Sequence, residues 1–407
     1  MDTGLKGGDV FIYDAVRTPR GAGKESGGLH QVPPVDLVGK LLDSLVERTG
    51  LDPQAVGDVI LGCVTQTGDQ GGNIARTAIL HAGWPDSVSG VAINRFCTSG
   101  LDACIMAATR VQCGIDGWTL GGGVESMSRV AMLSDNGPYY ADKRVSRTAR
   151  FVPLGVAADL VASLEGITRE EADAYAVRSQ QRASTARDSG AFAKSLIAIT
   201  NPETGNTVTA DEIIRPNVTV ERLAAFEPAF ATIGAKGFDE ALIQRFPDLN
   251  EIRHIHHAGN SPGMVDGAAL VLIGTREAGS GLGLRPRARI RAMANASVDP
   301  VIMLTGGIEA SRKALDQAGM TAGDIDLVEF NEAFAAVVLK FIRDLDLDPE
   351  KVNVNGGAIS LGHAMGATGA MQIGMALDEL ERRDQTTALI ALSGGAGVGA
   401  AMIIERV

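Results

Sequence analysis

The stretch LLDSLVERTGLDPQAVGDVILG (residues 41–62) decides the fold, because its pattern returns as RKALDQAGMTAGDIDLVEF (residues 312–330). Each copy predicts an amphipathic helix that ends at a glycine, a short connection, and then a short aliphatic strand. Gly50 and Gly319 are the predicted helix ends. A duplicated helix–strand unit predicts an α/β protein with two halves packed about a pseudo-twofold axis.

A second repeated pair strengthens this prediction. Gly100 opens a predicted helix followed by the strand WTLGGG, and Gly369 opens another followed by the strand TTALIALSGG. The spacing from Gly100 to Trp118 equals the spacing from Gly369 to Thr387. Strands that alternate with helices predict a largely parallel sheet in each half, with an active site where helix N-termini converge.

The alternation stops in the middle of the chain. A Tyr/Arg/Pro segment, a polar helix and a Pro-rich acidic stretch occupy residues 131–262. We therefore predict a first half formed by residues 1–130 and 263–277, a loop domain of residues 131–262 inserted over the core, and a second half of residues 278–407.

Composition excludes several classes of protein. The net charge is −12 and no run of basic residues occurs, so a nucleic-acid partner is not expected. The longest apolar stretches fall well short of the roughly 20 residues that a membrane helix needs. The chain has four cysteines without a CxxC or Cys/His metal pattern and no charged-then-apolar leader, which predicts a reducing, cytoplasmic setting.

Cys97 is the first candidate for chemistry. It lies in NRFCTSG (residues 94–100), directly before a predicted helix, where free backbone N–H groups and the helix dipole stabilise a thiolate. That position suits a nucleophile, although most lone cysteines are small buried hydrophobic residues. Cys104 and Cys113, predicted on the same helix, fit the second description better.

His363 is the preferred base for such a cysteine. It lies in NVNGGAISLGHAMGATGA (residues 353–370), a glycine-dense loop ahead of a predicted helix, where glycines permit close approach of the backbone to a ligand. A cysteine nucleophile needs a base to take its proton. A surface-loop histidine without a catalytic role is the alternative interpretation.

Two further segments contain groups that can assist catalysis. NEAFAA (residues 331–336) puts an amide and a carboxylate at the end of a predicted strand, where they can orient a water or a histidine. ALSGGAGVGAAMIIE (residues 391–405) is a predicted glycine turn that can present N–H groups to an anionic oxygen. An ordinary helix start and a plain hairpin are the alternatives.

Taken together, these pieces resemble the thiolases in their order and spacing, over nearly the whole chain. The motifs are NRFCTSGLDAC, GGGVESMSR, PAF (residues 228–230), AGNSPGMVDGAA, NEAFAA, GGAISLGHAMGATGA and SGGAGVGAAMIIE. The resemblance implies the thiolase fold: two βαβαβαββ halves that form a five-layered αβαβα core, an inserted loop domain, and a homodimer or homotetramer.

The resemblance also implies roles for individual residues. Cys97 would carry the acyl group, His363 would activate it and later the thiol of coenzyme A, and Asn331 would hold a water that joins His363 in one oxyanion hole. The backbone N–H groups of Cys97 and Gly395 would form a second. No metal or resident cofactor is implied, since coenzyme A and acyl-CoA are the substrates.

Ser393 departs from the family pattern, which has a second cysteine there to remove or return the α-proton of acetyl-CoA. A serine hydroxyl is far too weak an acid to be a comparable base, and acid–base help contributes about 10² to 10⁴ in rate. Protonating an enolate is easier than abstracting a poorly acidic C–H. We therefore expect thiolytic cleavage of a 3-oxoacyl-CoA to survive better than condensation of acetyl-CoA.

The resemblance implies a coenzyme A pocket that the loop domain covers. Its expected residues are Phe230, Ala258, Asn260 and Phe334. Two departures change the pocket: Pro262 stands where a serine usually contacts the ligand, and residues 234–255 are inserted after PAF. The longer segment resembles a subgroup in which some members act on bulky, steroid-derived or medium-chain acyl groups.

Other functions remain as alternatives. Ketoacyl synthases share the duplicated fold, but NEAFAA and the SGGAGVG terminus argue against them. A non-catalytic or half-reaction acyl-CoA-binding protein is the second reading, and a thioesterase that hands the acyl group to water is the third.

Overall fold

The structure is a computed structural model that describes residues 8–407. The first seven residues, part of the segment from which a missing leader was inferred, lie outside the described residues. The strands are β1 Phe11–Arg17, β2 Gly21–Ala22, β3 Val56–Gly62, β4 Ser89–Ile93, β5 Trp118–Ser126, β6 Ile199–Thr200, β7 Thr207–Val208, β8 Val265–Gly274, β9 Ala288–Ser297, β10 Leu327–Phe330, β11 Thr387–Ser393 and β12 Val398–Arg406.

The helices alternate with these strands outside the middle of the chain. They are α1 Pro34–Thr49, α2 Ile74–His81, α3 Ser99–Gln112, α4 Pro138–Ala141, α5 Lys143–Thr148, α6 Leu154–Glu165, α7 Arg169–Asp188, α8 Val220–Ala224, α9 Ala231–Ile233, α10 Asp239–Arg245, α11 Arg276–Gly281, α12 Gly306–Ala318, α13 Ala335–Asp344, α14 Ala358–Leu361 and α15 Thr368–Arg383.

The duplication predicted from the sequence is confirmed by the sheet topology. The strand order is β10-β11-β12-β9-β1-β8-β5-β3-β4, with β2 paired to β8. The two halves have the same order of strands. The first half runs β1-β8-β5-β3 and the second half runs β9-β12-β11-β10. Val352 bridges Val328 of β10 in the position that β4 occupies beside β3. The halves join where β1 pairs with β9.

The expectation of a largely parallel sheet is wrong for part of each half. β3 pairs in parallel with β4 and β5, and β10 with β11. The ladders β5–β8, β1–β8, β11–β12 and β12–β9 are antiparallel. In the second half β12 follows β11 after the turn at residues 394–397, and an antiparallel pair is what such a direct return produces.

Three apolar clusters separate five layers of secondary structure. One packs α1 and α2 against the outer face of the first-half strands. A second packs α3 and α15 between the strands of both halves. The third packs α12, α13 and part of the loop domain against the outer face of the second-half strands. The order of layers is therefore helix, sheet, helix, sheet, helix.

Local chemistry explains where the repeated helices end. Gly50 after α1 and Gly319 after α12 both adopt the left-handed conformation, with φ of 67° and 65°. Glycine has no Cβ penalty there, and the backbone N–H of Gly50 closes onto Val46. Both predicted helix ends are confirmed.

Residues 127–264 connect β5 to β8 and cover the core with short helices and the two-stranded sheet β6–β7. The polar helix predicted there is α7, which begins with a capping box between Thr168 and Glu171. The exact boundaries of the three predicted domains stay a prediction. Within residues 8–407 no helix is both long and apolar enough to cross a membrane.

Candidate active site

Cys97 lies at the N-terminus of α3, one residue before the N-cap Thr98. Its side chain is only 7% exposed. Phe96 before it has a φ of 48°, a left-handed conformation that is unusual for an aromatic residue and often found at functional sites. The backbone N–H groups of Gly395 and of Cys97 itself lie close enough to the sulfur to favour its thiolate form.

Burial decides the charge of this thiol. It raises the pKa of Cys97 to about 11, and the negative charge of Glu125 adds to the rise, whereas the N–H groups of Gly395 and Cys97 oppose it. Stabilisation by the start of α3 was expected to favour a thiolate, but it does not outweigh desolvation. Cys97 is therefore a neutral thiol at rest and needs a base.

His363 lies in the loop before α15, and its neighbours fix its tautomer. Nδ1 is 2.8 Å from Oγ1 of Thr368, and that hydroxyl donates to the carbonyl of Ala364 at 2.9 Å. Because the Thr368 proton is already committed, we assign the ring proton to Nδ1 and the lone pair to Nε2. Burial and the charge of Arg20 lower the pKa of His363 to about 4. The ring is therefore a neutral base with a free Nε2.

Asn331 faces that lone pair. Its Nδ2 lies 3.5 Å from Nε2 of His363, which is too long for a direct hydrogen bond of normal strength. The side chain is fully buried, and its Oδ1 has no partner among the described residues. A buried amide in this state fits a site that a water or a substrate oxygen completes.

Ser393 ends β11 at the N-terminus of α12. Its Oγ accepts a 2.9 Å hydrogen bond from the backbone N–H of Gly307, in the first turn of that helix. A Cβ on Gly307 would lie 2.9 Å from the carbonyl of Leu392, so only glycine allows this approach. The hydroxyl is completely buried, two residues before Gly395.

The two halves meet at the starts of α3 and α15. Glu125, buried at the end of β5, accepts from the N–H groups of Val64, Thr65 and Gly366 and from the amide of Gln70. The bond to Gly366 ties the loop of His363 to the first half. Burial raises the pKa of Glu125 even so.

Glycines make this junction possible. A Cβ on Gly62 or on Gly100 would lie within 2.6 Å of the carbonyl oxygen of Gly366, and one on Gly123 would overlap it. The glycine density of the predicted loop is therefore matched by glycines on β3, α3 and β5. The consequence is that the helix start beside Cys97 touches the loop that contains His363.

Glu332 was interpreted as a carboxylate that can orient a histidine, and the structure gives it another role. It accepts from Tyr175 and Ser179 of α7, from Asn353, and from the N–H of Ile359. It therefore fastens the other end of the histidine loop to the loop domain. Burial raises its pKa as well.

The residues expected around coenzyme A fall into two groups. The rings of Phe230 and Phe334 lie 5.8 Å apart, and Ala258 is exposed. Asn260 is fully buried, accepts from the N–H of His257, and donates to Asp173 and Ile255. Its side chain therefore holds a turn in place, and contact of all four residues with coenzyme A stays a prediction.

Two other cysteines and two other histidines lie in helices or in hydrogen-bonded positions outside the candidate site. Cys104 is completely buried, as expected, but Cys113 caps the end of α3 and is exposed, so its predicted burial is wrong. His254 and His256 both bind Asp159 at 2.7 Å. Across residues 8–407 no three side chains are arranged to hold a metal ion.

The sequence reasoning missed the residues that position the site. Glu125 carried a signal, because a carboxylate at the end of a buried strand requires partners. Thr368 also carried one, since a hydroxyl at the first residue of a helix lies close to the loop before it. The N–H of Gly307 had none, because its partner Ser393 is distant in sequence.

Two protein-family descriptions match the chain in succession. Residues 10–237 match the family described as "Thiolase, N-terminal domain". Residues 284–406 match the family described as "Thiolase, C-terminal domain".

Similar proteins agree with this match over full length. A 3-oxoadipyl-CoA/3-oxo-5,6-dehydrosuberyl-CoA thiolase of Escherichia coli is 39% identical, with 98% of this chain and 100% of the relative covered. A 3-ketoacyl-CoA thiolase of Aeromonas hydrophila is also 39% identical, with the same coverage. The crystal structure of the Bacillus anthracis acetyl-CoA acetyltransferase superposes with a TM-score of 0.85 at 36% identity, covering 98% of this chain and 99% of that one. The expected thiolase fold is confirmed.

Proposed function

The chain belongs to the thiolase family of acyltransferase enzymes, and we propose that it cleaves a 3-oxoacyl-CoA by passing the acyl group through Cys97 to coenzyme A. The observation that carries the proposal is a neutral His363 with a free Nε2, in the loop that touches the start of α3, where the buried thiol of Cys97 lies. A neutral base and a neutral thiol are the protonation states from which the proton can move from Cys97 to His363.

The first half-reaction forms an acyl-enzyme. Nε2 of His363 takes the proton of Cys97, and the sulfur attacks the 3-oxo carbon. Asn331, with a water, and the N–H groups of Cys97 and Gly395 are the donors that we assign to the charged oxygens. The bond between carbons 2 and 3 then breaks, which leaves an acyl thioester on Cys97 and the enolate of acetyl-CoA. A proton from Ser393 or a water completes the acetyl-CoA, and the proton that His363 took from Cys97 replaces it at the donor, so that His363 is neutral again.

The second half-reaction releases the product. His363 takes the proton of the coenzyme A thiol, whose sulfur attacks the acyl thioester. A shorter acyl-CoA leaves and the proton returns to Cys97, so the enzyme is regenerated. The proposed chemistry requires no metal or redox cofactor, only coenzyme A and the acyl-CoA as substrates.

Ser393 is the residue that we propose supplies the enolate with its proton, directly or through a water. Its oxygen accepts from Gly307, so the hydroxyl hydrogen points elsewhere and is available to a substrate. The same hydroxyl is a poor base for the reverse reaction, which must remove a proton from carbon. We therefore propose that cleavage is less affected by the serine than condensation.

Thiolysis of 3-oxoacyl-CoAs by the protein and its Ser393→Cys variant tests this proposal, with intact mass measured to detect acyl-Cys97. We expect turnover by the unmodified protein and a gain of about 10² or more in condensation, with a smaller gain in cleavage. Equal gains in both directions, or none, would contradict the role of Ser393. If acyl-Cys97 forms and is hydrolysed by water but not cleaved by coenzyme A, the protein is a thioesterase. If no acyl-Cys97 forms, the protein only binds acyl-CoA.

Association into a dimer or tetramer is also proposed. Support comes from β4, the edge strand of the first half, whose residues are only partly covered and whose Val91 is 37% exposed. Met106 on the neighbouring α3 is 40% exposed. Unpaired edge strands are normally protected, and a second copy of the chain would do so. Sedimentation equilibrium that gives only monomer would contradict this.

A further inference from the structure

The loop domain contains a tyrosine whose hydroxyl has an unusual environment. Tyr139 lies in the short helix α4, and its side chain is half-buried. The hydroxyl oxygen itself is buried and makes no hydrogen bond of normal geometry within residues 8–407. A buried hydroxyl in this state costs free energy, so its position calls for a physical explanation.

The hydroxyl lies beside the glycine turn that follows β11. Burial raises the pKa of Tyr139, and the backbone N–H of Ala396 opposes this rise, which places that N–H near the phenolic oxygen. Ala396 directly follows Gly395, whose N–H lowers the pKa of Cys97. The phenol is therefore one residue away from a backbone group that acts on the candidate nucleophile.

The ring of the same tyrosine packs on the other side of the nucleophile. It lies 5.8 Å from the ring of Phe96, the residue directly before Cys97, and Phe151 packs edge-on against it at 5.2 Å. The Phe96 ring also packs against the turn, since a Cβ on Gly395 would lie 3.4 Å from two of its ring atoms. A closed set of contacts thus joins Tyr139, the residue before Cys97, and the turn.

Both residues that Tyr139 contacts here have a backbone conformation that is unfavourable for their side chains. Phe96 has a φ of 48° and Ala396 has a φ of 57°. Left-handed conformations of residues other than glycine persist only where the surrounding structure enforces them. Tyr139 is placed to enforce both.

Backbone hydrogen bonds hold the two ends of the turn. The N–H of Gly394 donates to the carbonyl of Val398 at 2.8 Å. The N–H of Val298 donates to the carbonyl of Gly397 at 2.9 Å. These bonds fix the ends, and the middle of the turn is the part that the tyrosine contacts.

We propose that Tyr139 is a positioning residue, which fixes the N–H groups of Cys97 and Gly395 at the spacing that an oxygen between them requires. The inference rests on the proposed function for the identity of that oxygen, the carbonyl oxygen of the acyl thioester on Cys97. Two N–H donors bind one oxygen well only when both point at it. Tyr139 contacts the residue before the first donor and the residue after the second, so it controls their separation.

Acylation of Cys97 in the full-length protein, with acetoacetyl-CoA and 3-oxooctanoyl-CoA as probes, tests the inference. Tyr139→Phe loses only the hydroxyl, and the rate at saturation should fall about threefold, because a contact weaker than a normal hydrogen bond is lost. Tyr139→Leu loses both contacts and should cost about 30-fold, less than the 10² to 10³ for removing an oxyanion donor outright. If Tyr139→Leu does not fold, Tyr139→Phe decides the outcome alone.

Tyr140→Phe is the matched control. The hydroxyl of Tyr140 bonds to Asp135 at the surface, so its removal should change the acylation rate by no more than about 1.5-fold. A rate for Tyr139→Phe equal to that of this control would overturn the inference.

Binding measurements separate positioning from contact with the substrate. The Tyr139 substitutions, added to the Cys97→Ala variant, which cannot be acylated, should leave the calorimetric affinity for both probes within about twofold. A loss of affinity without a loss of rate at saturation would overturn the inference, because the tyrosine would then contact the substrate.

The thioester carbonyl gives a spectroscopic readout that a merely structural role would not move. Infrared spectra are recorded on Cys97 acylated by acetyl-CoA labelled at its carbonyl carbon. Hydrogen bonds lower the stretching frequency of a carbonyl, so the band should lie at higher frequency in Tyr139→Phe than in the unmodified protein and in Tyr140→Phe. A band at the same position in all three would overturn the inference.

Alkylation of Cys97 by iodoacetamide distinguishes failure of this inference from failure of the proposed function, because it requires no acyl-CoA. A Cys113→Ser background is used, since Cys113 is exposed and would also react. The N–H groups should favour the thiolate less in Tyr139→Phe, so alkylation at about pH 9 should slow by about threefold.

The two reactions together separate the proposals. If no acyl-Cys97 forms in any variant while Tyr139→Phe is alkylated more slowly than Tyr140→Phe, the proposed function is wrong and the positioning of the N–H groups stands. If acyl-Cys97 forms at the same rate in both variants, the positioning role is wrong and the proposed function stands.

Discussion

In the first half the connection between the last two strands, β5 and β8, contains residues 127–264, whereas the equivalent connection in the second half is the turn at residues 394–397. The strand order around both is the same. The long connection supplies a cover that includes Phe230. The short one contains Gly395, whose N–H lowers the pKa of Cys97. The duplicated fold thus has two equivalent connections, and each of them forms a different part of the candidate site.

The helix starts differ in the same way. Cys97 is two residues before α3 and keeps a neutral thiol, while His363 is five residues before α15 and keeps a neutral ring. In the proposed reaction one half contributes the nucleophile and the other contributes the base. The comparison predicts that substitutions in the two halves lower the reaction rate by different factors.

The largest effect is expected from the first half. Cys97→Ala should lower thiolysis by about 10⁴-fold or more, since no acyl-enzyme can form. Steady-state thiolysis with intact-mass analysis measures this. Cys104→Ala, on the same helix, is the control and should keep activity within about threefold. Retained acyl-enzyme in Cys97→Ala would assign the nucleophile elsewhere.

The matching change in the second half should be smaller. His363→Gln should lower the rate of Cys97 acylation by about 10² to 10⁴, the usual contribution of a general base. Thr368→Val removes the acceptor that fixes Nδ1, and a loss of about fivefold is expected, equivalent to one hydrogen bond of ~1 kcal/mol. Stopped-flow acylation measures both. A Thr368→Val loss as large as that of His363→Gln would contradict a purely orienting role.

The contact between the halves is tested by stability. Gly123→Ala places a Cβ against the carbonyl of Gly366 and should cost about 3 kcal/mol of unfolding free energy, at the upper end for overpacking. Gly50→Ala has open space around its Cβ but a positive φ, so about 1 to 2 kcal/mol is expected. Urea unfolding compares them. A smaller cost at Gly123 than at Gly50 would refute the close approach.

The smallest expected effect concerns pH, because the acylation rate should stay constant over a wide pH range. Because the pKa of His363 is lowered to about 4, the ring stays a neutral base above that value and loses its function only as pH falls through it. The thiol pKa of Cys97, about 11, sets the upper end. The acylation rate should therefore be flat between about pH 5 and pH 10. An acid limb near 6.5, the ordinary histidine value, would contradict the neutral pair.

Much of the site was predictable because its signals are local. The helix ends at Gly50 and Gly319 and the repeat followed from periodicity, and Cys97 and His363 followed from their positions before helices. The role of Glu332 was misread, because the four donors that surround it come from α7, Asn353 and Ile359. No local pattern records which distant groups meet a carboxylate.

The sequence by itself determined the α/β class, the duplication, and the nucleophile and base candidates, since each depends on the order of neighbouring residues. Only the tertiary structure decided that both starting groups are neutral, because desolvation depends on what packs around Cys97 and His363. It alone also decided that Tyr139 meets both Phe96 and the turn at Ala396. Burial and these contacts depend on residues far apart in the chain, and they exist only once the chain is folded.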